Sequence, residues 1–279
     1  MGDSRPIGLF DSGVGGLTVL REVVRRLPNE STVYLGDNAR APYGPRSDEE
    51  VRRFSAECLD ELTGRDVKAI VVACNTSSAV ALNDLRLRHE VPILGVVRPG
   101  ATAAALATRT RRVGVIATQA TVRSRAYFQA IKDEDPFIDV IELATPELVP
   151  LVEAGQLDGP VVEAAVERSI APLRDGHHRP DTLLLGCTHY PLLAPLIERV
   201  IGSDVAVIDS ARSAASALAH LLEVHGLAAP GADGSGNGTH GVTHVQLTTG
   251  DVARFQGIAS RLFGDLFPPV EPVALAGAA

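Results

Sequence analysis

Tryptophan is absent from the 279-residue chain, aromatic residues make up only 4% of it, and acidic side chains outnumber basic ones 34 to 26, a formal charge of −8. Nucleic-acid binding therefore lacks both a basic footprint and stacking platforms, which counts against it as a primary role. No apolar run approaches the roughly 18 residues that a membrane-spanning helix needs. The opening Met1-Gly-Asp-Ser-Arg-Pro6 is polar and charged, unlike a signal peptide, so a cytoplasmic protein with no membrane partner is expected. Cysteine is scarce: Cys58, Cys74 and Cys187 form an odd set, which suits individual thiol chemistry or burial better than a disulfide framework. Lysine is scarcer, with Lys68 and Lys132 set against 24 arginines.

What is abundant is apolar sequence of strand length. Such runs occur at Pro6–Phe10, Thr32–Leu35, Val67–Ala73, Pro92–Val97, Arg112–Ala117, Ile138–Leu143, Thr182–Gly186 and Val205–Ile208. Longer stretches with helical spacing separate them, for example Val51, Phe54, Cys58 and Leu62. Alternation of this kind predicts an α/β fold with mostly parallel sheets, and near-continuous runs such as Ala69-Ile-Val-Val-Ala73 suit strands covered on both faces. The chain also resembles itself: Ile7-Gly-Leu-Phe-Asp-Ser12 matches Val113-Gly-Val-Ile-Ala-Thr118, and Val72-Ala-Cys74 matches Leu185-Gly-Cys187. Two pseudo-symmetric α/β domains follow, one from residues 1–96 plus 210–279 and the other from 97–209. Residues 228–241 read as a mobile loop, and the tail after Pro268 as frayed.

Cys74 and Cys187 each stand where a buried strand gives way to a helix, the end of an open α/β sheet at which ligands bind. A helix start supplies free N–H groups and partial positive charge, so each thiol is expected to have a lowered pKa. The plain alternative is a small apolar residue filling a tight corner, and Cys58, on its helical stripe, reads as core. Two thiols at equivalent corners of a repeat favour function. Facing one substrate carbon from opposite sides, they would invert a stereocentre, one removing the α-proton and the other delivering a proton to the far face. Pyridoxal-phosphate chemistry would need a Schiff-base lysine. Lys68 starts the strand that Cys74 follows, roughly 20 Å away at ~3.3 Å per residue, and Lys132 lies in the charged Ile-Lys-Asp-Glu-Asp.

At these residues the sequence resembles the bacterial glutamate racemases of the aspartate/glutamate racemase superfamily. The matching segments are Ile7-Gly-Leu-Phe-Asp-Ser-Gly-Val-Gly-Gly16, Tyr34-Leu-Gly-Asp-Asn-Ala-Arg-Ala-Pro-Tyr-Gly44, Ala73-Cys-Asn-Thr76, Leu148-Val-Pro-Leu-Val-Glu153 and Gly186-Cys-Thr-His-Tyr-Pro-Leu-Leu193. The resemblance implies two α/β domains facing across a cleft, no metal or organic cofactor, and interconversion of L- and D-glutamate for peptidoglycan. It also implies a homodimer, and some members are associated with inhibition of DNA gyrase. By position, Cys74 and Cys187 are the proton-transfer residues, and Asp11, Glu153 and His189 are auxiliary acid–base residues, Asp11 on the Cys74 side and His189 on the Cys187 side. Ser12, Tyr43, Gly44, Asn75, Thr76 and Thr188 match substrate contacts, alongside Asp11 and His189, with Thr118 and Thr121 in a supporting position. Where many relatives have Cys-Pro, this chain has Thr145-Pro146.

Other readings stay open at this stage. An aspartate racemase would keep both thiols. A Cys–His hydrolase built on Cys187 and His189 would leave Cys74 without a role. Zinc binding lacks paired C-x-x-C or H-x-x-x-H spacing. Asp11 as a helix cap and His189 as a polar corner are the structural alternatives to catalysis. The turn Asp11-Ser-Gly-Val-Gly-Gly16 has neither G-x-G-x-x-G spacing nor a P-loop ending, so its glycines suit a close backbone approach to a substrate or a tight turn. Asn75-Thr-Ser77 and Asn237-Gly-Thr239 fit glycosylation sequons, which a chain without an export signal does not use.

Overall fold

The structure, a computed structural model, describes residues 2–174, 179–230 and 241–275. Strands and helices alternate from the start: β1 (Ile7–Asp11), α1 (Leu17–Arg26), β2 (Thr32–Gly36), α2 (Asp48–Thr63), β3 (Ala69–Val72), α3 (Asn75–Val80), α4 (Leu82–Arg88) and β4 (Ile93–Gly95). The middle of the chain gives α5 (Val97–Ala107), β5 (Arg112–Ala117), α6 (Gln119–Ser124), α7 (Ala126–Glu134), β6 (Asp139–Ala144), α8 (Leu148–Glu153), α9 (Pro160–Arg174) and β7 (Thr182–Gly186). A 3-10 turn at Tyr190–Leu193 leads to α10 (Ala194–Ile201), β8 (Ala206–Asp209), α11 (Ser210–Val224), β9 (His244–Thr248), α12 (Val252–Phe263) and β10 (Val270–Pro272).

Two parallel sheets result, one ordered β10-β9-β2-β1-β3-β4 and the other β6-β5-β7-β8. Without its two added edge strands the first sheet reads β2-β1-β3-β4, the order of the second shifted by four elements. The repeat seen in sequence is thus a repeat of topology. In each sheet the strand order turns back between the two central strands, β1 and β3 or β5 and β7, the switch point at which a crevice opens beyond the strand ends.

Alternation along each strand builds the core on both faces. Leu9, Ala69, Val71 and Tyr34 face α1, α11 and α12, while Phe10, Ile70, Val72 and Leu35 face the cluster that contains Cys58, as its helical stripe predicted. In the second sheet Ile116, Leu183 and Leu185 lie on one face and Val113, Val115 and Leu184 on the other. After β8 the chain returns along α11, which packs on both α1 and α5.

The end of the chain departs from expectation. Val270–Pro272 pairs with Gln246–Thr248, Val273 N–H donates to the Thr248 carbonyl at 2.9 Å, and Leu275 is buried, so the described part of the tail after Pro268 is held on the sheet, and residues 276–279 lie outside the described residues. Val270 fills the core under α12, which outweighs the cost of ordering a short terminal strand. At Pro92–Val97 only Ile93–Gly95 is strand, because α5 starts at Val97. Of the stretch read as a mobile loop, Ala229 is buried and its N–H donates to Glu30 Oε1 at 2.8 Å, while residues 231–240, with the Asn237 sequon, lie outside the described residues.

Candidate active site

β3 ends after four buried apolar residues, and Cys74 caps the helix that follows, its backbone extended and its Sγ accepting the Ser77 N–H at 3.5 Å. The thiol faces the Ser12 hydroxyl at 3.6 Å. Burial, seconded by the Asp11 charge, pushes the Cys74 thiol up to about 11, against the smaller opposing effects of the Ser77 and Ser12 contacts. The sequence expectation of a lowered pKa is therefore reversed here: a six-residue helix start offers less than full desolvation removes.

Asp11 ends β1 with no exposed surface. Its Oδ1 accepts the Gly13 N–H at 2.9 Å and its Oδ2 the Thr188 hydroxyl at 3.3 Å. It caps its own turn, as the structural alternative held, and it also lies within electrostatic reach of Cys74 and His189. Burial raises its pKa from the ordinary aspartate value, against His189, its N–H donors and the Thr188 hydroxyl.

The second thiol follows β7. Cys187 Sγ lies 3.8 Å from His189 Nδ1, and His189 Nε2 lies 3.4 Å from Glu153 Oε1 on α8. Burial opposes charge on the imidazole, yet Cys187, Glu153 and Asp11 outweigh it and raise His189 to about 10. The facing imidazole of His189 in turn lowers the Glu153 carboxyl. Around this chain the glycine turn finds its reason: a Cβ on Gly15 would sit 2.5 Å from His189 Nδ1 and from Thr188 Oγ1, and one on Gly16 would sit 2.4 Å from Asp11 Cβ. The close approach those glycines permit is protein against protein.

Cys74 and Cys187 both line one cavity of about 240 Å³, small beside the roughly 300–1,000 Å³ of drug-sized pockets and suited to a small metabolite. Ser12, Tyr43, Gly44, Asn75 and Thr76 share its wall with Glu153, Thr188 and His189, whereas Asp11 stands behind it. The buried Tyr43 phenol donates to the Asp37 carboxylate, which Arg40 and the Thr249 hydroxyl also hold, at 2.7 and 2.6 Å. The Gly44 carbonyl accepts the Ala120 N–H at 3.0 Å, joining this loop to α6. Thr76 Oγ1 meets the Thr118 hydroxyl at 2.9 Å and Thr121 at 3.4 Å, so the turn expected to assist meets the one expected to bind substrate. Asn75 donates to the Tyr127 hydroxyl at 2.7 Å and to Ser210 at 3.4 Å, while its buried Oδ1 has no partner.

Sequence reasoning left out part of the wall: Thr145, Pro146, Val149, Pro150 and Tyr190. The Thr145 and Tyr190 hydroxyls meet at 2.6 Å. The departure from the family pattern at Thr145-Pro146 was a signal of sorts, because it falls in the cavity itself. Among the described residues no three His, Cys, Asp or Glu side chains form a metal-holding group, and no helix is long and apolar enough to cross a membrane.

A family model described as Asp/Glu/hydantoin racemase matches residues 7–218. The chain is 45% identical over 257 residues to a glutamate racemase of Exiguobacterium sibiricum, covering 92% of each. In structure it is similar to a glutamate racemase of Bacillus anthracis, with a TM-score of 0.90, 41% identity, and coverage of 97% of this chain and 98% of that one. It is also similar to the Francisella tularensis glutamate racemase solved with D-glutamate, with a TM-score of 0.86, 33% identity and 98% of both chains covered.

Proposed function

This chain belongs to the Asp/Glu/hydantoin racemase family, and we propose that it interconverts L- and D-glutamate by proton transfer at its own two thiols, Cys74 and Cys187. One observation carries the reading: the two cysteines, 113 positions apart in sequence and at equivalent corners of a repeat, line one small cavity. A carbon bound there would have a thiol to each side, one to take its hydrogen and one to replace it, and the reverse reaction exchanges the roles.

The surroundings differ while the task is shared. Cys74 is poised as a proton donor by its raised pKa, and Asp11, its carboxyl raised by burial, serves as the group that takes a proton from it. At Cys187 the proton passes along Sγ to His189, whose imidazolium Glu153 steadies. The partnerless Asn75 Oδ1 suits the substrate ammonium, which would satisfy a buried acceptor. The hydroxyls of Ser12, Thr76, Thr118 and Thr188 supply donors for carboxylates in a cavity wall that, among the described residues, has no arginine or lysine. We assign the two halves of this cleft to residues 1–96 plus 210–279 and 97–209, and the D-glutamate formed to peptidoglycan synthesis.

The test is L-glutamate in deuterium oxide. Optical rotation should decay to zero while deuterium enters at the α-carbon. A panel with L-aspartate decides the substrate: D-aspartate formed without D-glutamate would move the assignment to the aspartate racemases.

A further inference from the structure

α12 lies on the first sheet through Phe255, Ile258 and Ala259, and its start is capped by Asp251, whose Oδ1 accepts the Arg254 N–H at 2.6 Å. From its last turn it reaches the other half of the molecule. Arg261 Nη1 donates at 2.8 Å to the carbonyl of Ala154, the residue that closes α8 directly after Glu153. The next residue is shaped for this contact. Gly155 has φ of +75°, a left-handed backbone that glycine accepts, and a Cβ there would come 2.3 Å from Arg261 Cδ and 2.7 Å from its Nη1.

Glu153 sits between two spaces. Together with Pro150 it lines both the catalytic cavity and a second recess, whose other walls include Arg254 and Arg261 of α12. Arg254 adds positive charge near Glu153. Leu148 and Val152 anchor the body of α8 in the core, and its last carbonyls, Leu151 and Val152, accept the Gln156 and Gly155 N–H groups at 2.9 and 2.8 Å, so what Arg261 fixes is the carbonyl just beyond, that of Ala154.

We propose that Arg261 is a positioning residue: by fixing the Ala154 carbonyl it holds Glu153 against His189 and so tunes proton transfer at Cys187, with no such hold on Cys74. The inference rests on the two-thiol reading above. Its signature is one-sided. Because enantiomers have equal free energy, kcat/KM is the same in both directions, and only an isotope effect tells which of the two proton transfers has slowed.

The experiment measures kcat/KM for L- and D-glutamate, each with hydrogen or deuterium at the α-carbon, in wild type, Arg261→Ala, Arg261→Lys and Gly155→Ala. Arg261→Ala should lower kcat/KM roughly fivefold, the net worth of one hydrogen bond. It should raise the isotope effect for one enantiomer and lower it for the other. Arg261→Lys should recover most of the loss. Gly155→Ala, which crowds the same contact from the opposite side, should reproduce the imbalance even where Arg261→Ala folds poorly. Unchanged isotope effects in both Arg261→Ala and Gly155→Ala, or a loss of rate that follows thermal stability alone, would overturn the proposal. Wild-type protein that fails to racemise glutamate would overturn the functional reading beneath it, a result separate from the other two.

Discussion

The hydroxyl of Thr188 donates to the buried carboxylate of Asp11 across 3.3 Å, joining the loop after β7 to the end of β1. The residue between Cys187 and His189 thus touches the carboxylate that bears on Cys74. The sequence suggested one auxiliary group per thiol, Asp11 for one and His189 for the other. In the folded chain the two are one electrostatic unit, because the Asp11 charge raises both Cys74 and His189, while His189 counters the rise at Asp11.

Asp11→Asn is expected to do two opposite things. Removing the charge takes away part of what holds the Cys74 thiol near 11, so the thiol should titrate lower, while racemisation falls because the group that takes its proton is gone. Peptide-resolved mass spectrometry of iodoacetamide alkylation against pH measures the first. In wild type the Cys74 rate should climb about tenfold per pH unit from 7 to 10, since only the thiolate reacts. A Cys74 profile left in place by Asp11→Asn would contradict the shared-carboxylate account.

Cys74→Ala and Cys187→Ala should each abolish net racemisation. Each variant removes either the base or the acid in a given direction, and the remaining thiol cannot serve both faces. Loss of optical rotation is the measure, with thermal melting to show that the small core change is tolerated. Full turnover by either variant would rule out the two-thiol scheme.

Much of this was legible in the chain, for physical reasons. Buried parallel strands must be apolar on both faces, so β1, β3, β5 and β7 stood out, and their repeat gave two related α/β units, while the strand order within each sheet came only with the structure. β9 and β10 did not, because His244–Thr248 mixes polar and apolar residues and Val270–Pro272 is only three residues long; their place depends on α12 above them. At the site, residue types and corners pointed to the cysteines. The sign of the Cys74 shift was not legible, because a helix start was visible in the sequence and the depth of burial was not. Arg261 was invisible for the same reason that makes it informative: its partner is a backbone carbonyl 107 positions away, which no side-chain pattern encodes.

His189 links the site to stability. Its folded-state pKa, about 10, lies above the ordinary 6.5, so its charge stabilises the fold fully below pH 6.5 and that contribution is lost as pH rises through 10. Denaturant midpoints for wild type should therefore decline from pH 6.5 to 10 more steeply than those of His189→Asn. The difference between the two proteins isolates His189 from the other titrating groups. Parallel curves would show that the imidazole is not held charged.

Lys68 and Glu30 form an ion pair at 2.5 Å with almost no exposed surface. Lys68 Nζ also donates to the Asp3 carbonyl at 2.6 Å, and Glu30 Oε1 accepts the Ala229 N–H, so the pair ties the chain's beginning and the segment after α11 to the end of the first sheet at which β2 and β3 start. Lys68→Met leaves a buried carboxylate alone and should cost about 3–5 kcal/mol, read as a lower denaturant midpoint. Lys68→Met with Glu30→Leu should recover most of that loss, because the penalty belongs to the unpaired charge more than to the missing bond. Both variants should racemise at the wild-type rate wherever they are folded, since Lys68 lies before β3 and Cys74 beyond its other end. A rate defect in the folded double variant would show that this clamp reaches the cleft.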